Sequence, residues 1–141
     1  MIRAASILGG RKVLRTEPLS PLDWVYMIRK GFPSKALDSF GTNISATNAE
    51  LALMLGISVR ALAGRRRKGI LTPHESERIL RVARVVGRAE KVFGDLAKGL
   101  EWLKSPNGSL GGVSPISLLD TYTGADWVMD TLGRVEHGVF A

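Results

Sequence analysis

At 141 residues and 45% apolar content the chain can bury the core of one domain or two small helical ones, which excludes a disordered tail. A formal net charge of +7 and a pI near 10.3 favour a polyanionic partner, because basic side chains displace counterions from phosphates. Without cysteine there are no disulfide staples or thiolate zinc sites; with no long apolar run and no convincing signal peptide in MIRAASILGGRK, no membrane segment and a cytoplasmic location are expected.

Charge is unevenly spread. Basic residues crowd the stretch from Arg60 to Lys91, whereas Ser105 to Ala141 sets Arg134 against Asp120, Asp126, Asp130 and Glu136. Residues 1–17 show no clear period and carry Gly9-Gly10 before Arg11, Lys12 and Arg15, so they are read as a flexible arm. Some basic arms enter a minor groove, but a solvated tail is the commoner case. Ser20-Pro21-Leu22-Asp23 then supplies a capping hydroxyl, a proline at the first helical position and an acid in the first turn. The helix it starts should run to about Gly31, with Trp24, Val25, Ile28 and Leu22 on its apolar face. A second helix follows Pro33, with Ala36, Leu37 and Phe40 inward and Gly41 as its stop.

Thr47 to Lys68 reads as two short helices around a glycine turn, the pattern of a helix-turn-helix. Thr47 and Glu50 form a capping box, Leu51, Ala52 and Leu55 share one face, and Gly56 supplies the left-handed turn. Ile57, Val59 and Leu62 are expected to wedge between the helices, and Ser58 to cap the second. Its outward positions and basic end give the candidate DNA-contacting set: Ser58, Arg60, Ala61, Arg65, Arg66, Arg67 and Lys68. A helical hairpin with a solvated basic end would carry the same charges.

Thr72-Pro73-His74-Glu75 is the clearest helix start in the chain. Ile79, Val82, Ala83, Val86, Ala89 and Phe93 form one stripe of that helix, and Leu80, Val85 and Val92 a second. Two stripes need two covers, the N-terminal helices at its start and, further on, the C-terminal helices or a second copy of the chain; a homodimer through the second half of this helix and its neighbours is expected. Asp95 caps the next helix, with Leu96, Leu100, Trp102 and Leu103. Asn107 to Gly112 reads as a turn and not as a phosphate cradle, since no Lys-Ser or Lys-Thr follows it. Ser114-Pro115 starts a short helix with Ile116, Leu118 and Leu119. Thr123 to Asp126 starts the last one, with Val128, Met129, Leu132 and Val135 inward, and Gly138 ends it before an apolar Val139-Phe140-Ala141.

The expected fold is all-α: a flexible arm over 1–17, a helix-turn-helix domain over 18–71 and a helical domain over 72–141. Nucleophilic catalysis lacks a constellation, because His74 and His137 are the only imidazoles and neither has a motif around it. The chain is therefore read as no enzyme, with no metal site and no cofactor.

The run LTPHESERILRVARVVGRAEKVFGD belongs with several separated motifs: Trp102-Leu103, Pro106-Asn107, Leu110-Gly111-Gly112, Pro115, Leu118-Leu119, Thr121, Gly124-Ala125 and the end from Leu132 to Ala141. In that order they resemble the Xre-type antitoxins of bacterial RES–Xre toxin–antitoxin systems, over about residues 47–141. The resemblance implies DNA binding for autoregulation by the first domain and toxin binding by the second. Its implied partner is a RES-domain toxin that consumes NAD or transfers ADP-ribose, blocked over its active-site entrance. It also implies a dimer that joins the toxin in a larger hetero-oligomer. By position, the toxin-facing residues would be Arg134, Glu136, His137, Gly138, Val139, Phe140 and Ala141. Gly64 departs from the larger polar or basic residue expected in a recognition helix. Two other readings remain open, a repressor responding to a small molecule and a helical interaction scaffold that does not bind DNA.

Overall fold

The computed structural model describes residues 2–138, and among them the regular structure is all helix, with no strand beyond one isolated bridge. It forms two compact units that meet between Ala83 and Arg84. The boundary lies inside the long helix, later than the change of domain expected after residue 71.

Residues 2–17 are not a loose arm. They form α1 (Ile2–Ile7) and α2 (Gly10–Leu14), which pack on α4 (Lys35–Ile44) and bury Ala4, Ile7, Leu8 and Leu14. Asn43 adds a bond from Nδ2 to the Ile7 carbonyl at 2.8 Å. Each helix is too short to display a period, and tertiary burial, not local pattern, holds it.

Helix α3 (Pro21–Lys30) starts as expected, with the Ser20 hydroxyl accepting from the Asp23 amide. Trp24 is buried and meets Phe32 edge-on at 6.1 Å. Leu22 and Val25 do not join the core: they are 56% and 37% exposed. Helix α4 continues through Gly41, which does not stop it; Ser45 caps it in a left-handed conformation. Gly41 serves close packing instead, since a Cβ there would lie 2.9 Å from Leu51 Cδ1.

The helix-turn-helix comprises α5 (Asn48–Leu55) and α6 (Val59–Lys68), with the Thr47–Glu50 capping box complete and Gly56 left-handed between them. Leu62 is fully buried, but Val59 is 52% exposed and does not wedge between the helices. Behind α6 runs a short backbone strap. Pro33 and Ile70 form an antiparallel bridge, Ser34 N–H donates to the Gly69 carbonyl at 3.0 Å, and Leu71 N–H donates to the Phe32 carbonyl at 2.9 Å.

Helix α7 (Pro73–Phe93) contributes to both units. Ile79, Leu80, Val82, Ala83, Val85, Val86 and Ala89 are all buried within the single chain. The stripes are thus covered already, and they do not by themselves call for a second copy.

In the second unit α7 is followed by α8 (Leu96–Lys104), 3-10 turns at Gly108–Leu110 and Pro115–Leu118, and α9 (Tyr122–Glu136). Helix α9 begins two residues before the expected start, because Thr121 Oγ1 accepts from the Gly124 amide at 2.9 Å. Ala125, Val128, Thr131 and Leu132 form its buried face. Phe93 meets the Trp102 ring at 5.7 Å. Gly99 lets α8 approach α7 closely: a Cβ there would lie 2.9 Å from backbone atoms of Ala89 and Glu90. Gly99→Val should therefore lower the stability of this unit by about 1–3 kcal/mol, because the clashing atoms are backbone and cannot rotate away. Thermal melting followed by circular dichroism checks this; an unchanged melting temperature would show that α8 shifts freely.

Candidate functional site

The basic end of α6 divides into two classes of side chain. Arg65 points Nε at both oxygens of Glu75, at 2.8 and 3.0 Å, and Arg66 Nε donates to Asp38 at 2.9 Å. Both residues thus tie α6 to its neighbours. Arg67 and Lys68 are exposed at the end of the helix, as are Ser58 and Arg60 at its start. Ala61 and Gly64 are half-buried between them. Of the seven expected DNA-contacting residues, the exposed set is Ser58, Arg60, Arg67 and Lys68. Four basic residues in a last turn also complement the negative end of the helix dipole, which gives the run a local structural role.

Glu75 is the centre of the arrangement. Its side chain is 5% exposed, and it accepts from the Thr72 amide at 2.9 Å as well as from Arg65. Burial pushes its carboxyl up, but the hydrogen bonds from Arg65 and Thr72, with the Arg65 charge, outweigh that and hold it below the usual carboxylate range. The hydrogen bond to Glu75 likewise raises the Arg65 guanidinium. Arg78, one turn along α7, donates from Nε to the Met54 carbonyl at 2.9 Å and lies against Gly56. It satisfies an acceptor at the open end of α5. Sequence reasoning passed over Arg78; its spacing of three from Glu75 places both on one face of α7, the available signal.

In the second unit the expected toxin-facing residues gather at the end of α9. Arg134, Glu136, His137 and Gly138 are exposed, while Val139, Phe140 and Ala141 lie outside the described residues. Glu136 is held by a bidentate pair with Arg88, at 2.6 and 3.1 Å, and the Arg88 hydrogen bond keeps its carboxyl below the ordinary range. Helical spacing sets Thr123, Trp127, Asp130 and Arg134 in one row on the outer side of α9, with Trp127 41% and Tyr122 71% exposed. These aromatics were also missed, since inward positions alone were sought. Among the described residues no group of His, Asp and Glu is arranged to hold a metal ion, and no helix is long and apolar enough to cross a membrane.

Two family models match the chain in sequence. Residues 23–84 match the antitoxin Xre-like helix-turn-helix domain, and residues 88–138 the antitoxin Xre/MbcA/ParS C-terminal toxin-binding domain. The chain is similar to an Antitoxin Xre of Yersinia enterocolitica serotype O:8 / biotype 1B, at 45% identity over 116 residues covering 81% of this chain and 78% of the relative. It is also similar to an Antitoxin Xre of Photorhabdus laumondii, at 36% identity over 80% of this chain and 78% of that one. A Prs ADP-ribosylating antitoxin of Sphingobium sp. is 31% identical over 86% of this chain and 83% of its own length.

The Arg65–Glu75 pair makes a prediction about stability and pH. Arg65→Ala should cost about 2 kcal/mol by stranding a buried carboxylate, whereas Arg67→Ala should stay within about 0.5 kcal/mol of wild type. A carboxyl with a lowered folded pKa stabilises the fold above its unfolded pKa and stops doing so as pH falls through the folded value. The stability gap between wild type and Glu75→Gln should accordingly be widest near neutrality and close on acidification. Urea unfolding across pH reads both effects, and a gap that widens in acid would contradict the assignment.

Proposed function

Since the chain belongs to the Xre antitoxin family, we propose that it neutralises a RES-domain, NAD-consuming toxin by covering the active-site entrance and represses its own operon by binding operator DNA. The coarser statement needs no proposal: the chain is an antitoxin of a toxin–antitoxin system. The observation that carries the fuller reading is the succession of both antitoxin domains along one chain, at 45% identity to an Antitoxin Xre over most of both proteins. Each unit then has its own partner, and the charge distribution supports the split. Exposed Arg60, Arg67 and Lys68 in the first unit suit phosphates, while Asp126, Asp130 and Glu136 on α9 do not.

In this reading α6 lies in the major groove, with Ser58 at its N-terminus near the phosphates, Ala61 and Gly64 giving close backbone approach, and Arg60, Arg67 and Lys68 on the duplex. Arg65 and Arg66 keep the helix in place. The toxin surface runs along the outer row of α9 to its end, with Trp127 as an apolar anchor and Arg134, Glu136, His137 and Gly138 beside it. Val139, Phe140 and Ala141, next in sequence, belong to the same proposed toxin-contacting set. Arg88 holds Glu136 in one position, so this carboxylate is set before a partner arrives. The protein acts in the cytoplasm as a homodimer that joins the toxin in a larger complex, without cofactor and without catalysis of its own. Two-fold symmetry suits a palindromic operator.

The two halves of the proposal are separable by experiment. Arg60→Ala with Arg67→Ala should weaken promoter binding and lower the slope of log affinity against log salt by about one for each lost phosphate contact, leaving toxin neutralisation intact. An unchanged slope would remove these residues from the duplex. Deleting Gly138 to Ala141 should leave a folded protein that retains DNA binding and no longer restores growth to cells expressing the toxin. Full rescue by that truncation would move the inhibitory surface away from the C-terminus.

A further inference from the structure

A cavity of about 260 Å³ opens in the first unit between the end of α2, the end of α3 and the strap. Leu14, Met27, Phe32 and Ile70 give it apolar walls, and two cations, Arg15 and Lys30, also line it. Among the described residues neither cation is ion-paired with a carboxylate. Arg15 is the left-handed C-cap of α2, its N–H donating to the Arg11 carbonyl at 2.8 Å, so the start of its side chain is fixed at the cavity rim.

We propose that this cavity takes a small amphipathic carboxylate, its hydrocarbon body against Leu14, Met27, Phe32 and Ile70 and its carboxylate on Arg15 and Lys30. The volume lies just under the roughly 300 Å³ at which sites for drug-sized ligands begin, so a short-chain acid fits better than a nucleotide. Predominantly apolar walls with a pair of cations select a single anionic head on an apolar tail. A neutral alcohol would leave the cations without a counter-charge, and an amine would be repelled by them. The cavity is also coupled to the helix-turn-helix by covalent continuity. Gly69 lines it and is the left-handed cap of α6, its N–H donating to the Arg65 carbonyl, and Ile70 and Pro33 on its wall form the bridge of the strap. A bound acid would therefore rigidify the strap and the end of α6. This site stands apart from the toxin and operator readings and does not rest on either.

Octanoate titrated into the full chain by calorimetry tests the site, with octanol and octylammonium as head-group controls. Saturable one-to-one octanoate binding is expected, weaker for octanol and absent for octylammonium. Arg15→Gln with Lys30→Gln should weaken octanoate binding about tenfold or more, the loss expected from charge-assisted bonds. Ile70→Trp should abolish it by filling the cavity. Both cations are exposed, so the charge variant should fold, as circular dichroism will show, and it decides the matter if the Trp variant does not. Amide exchange at Ser34 and Leu71, the two donors of the strap, should slow when octanoate is bound. No saturable binding at millimolar octanoate, equal binding by octylammonium, equal binding by the charge variant, or unchanged exchange at the strap with octanoate bound would each overturn the proposal.

Discussion

A carboxylate taken out of water survives only if every lone pair it brings inside is answered, and Glu75 is where the first unit meets that demand. The Thr72 amide and the Arg65 guanidinium converge on it. The same side chain therefore closes the capping box of α7 and anchors α6, so the start of one helix and the orientation of another share a single charge. Arg78 extends the arrangement to the last turn of α5 through the Met54 carbonyl. Removing one partner of such a set strands the others, which is why a buried ion pair fixes geometry more than it adds stability.

This sharing explains what was legible in the sequence. Ser20-Pro21, Thr47 with Glu50, Thr72-Pro73 with Glu75, and Asp95 all mark helix starts through a side chain that bonds an amide three residues on, and all four stand in the structure as read. Caps are local chemistry and need no knowledge of the rest of the chain. Positions set by tertiary contact were not legible. Ala4, Ile7 and Leu8 form one turn of apolar residues whose partner is an asparagine and a helix some thirty positions away. Gly41 carries the sign of a helix end and acts as a packing gap, because what decides its role is the place of Leu51. The candidate DNA residues were legible as a cluster but not as individuals: which arginines face solvent depends on where Asp38 and Glu75 lie in space.

The two units divide electrostatic labour. In the first, cations exceed what the ion pairs consume, and the surplus at the ends of α6 is exposed. In the second, Asp126 and Asp130 stand beside the exposed Trp127 on α9, and Arg88 orients Glu136 through an ion pair. The operator and toxin surfaces proposed above therefore draw on different charged groups. The cavity beside the strap is lined by residues of the basic unit.

The strap has a kinetic side. Helices α5 and α6 meet their neighbours within a few residues of chain and can form early, but the pairing of Phe32 to Ser34 with Gly69 to Leu71 joins points separated by the whole of α4, α5 and α6. Closing so long a loop costs entropy that nearby contacts must first offset, and the cost grows only slowly with length. Assembly of the basic unit should thus be local and fast up to this point and limited by the closure itself. A newly synthesised chain would acquire its helix-turn-helix as separate turns of helix, and would become a single cooperative body only after residues 69–71 have found residues 32–34 and the start of α7, with Glu75 and the buried residues up to Ala83, has also left the ribosome.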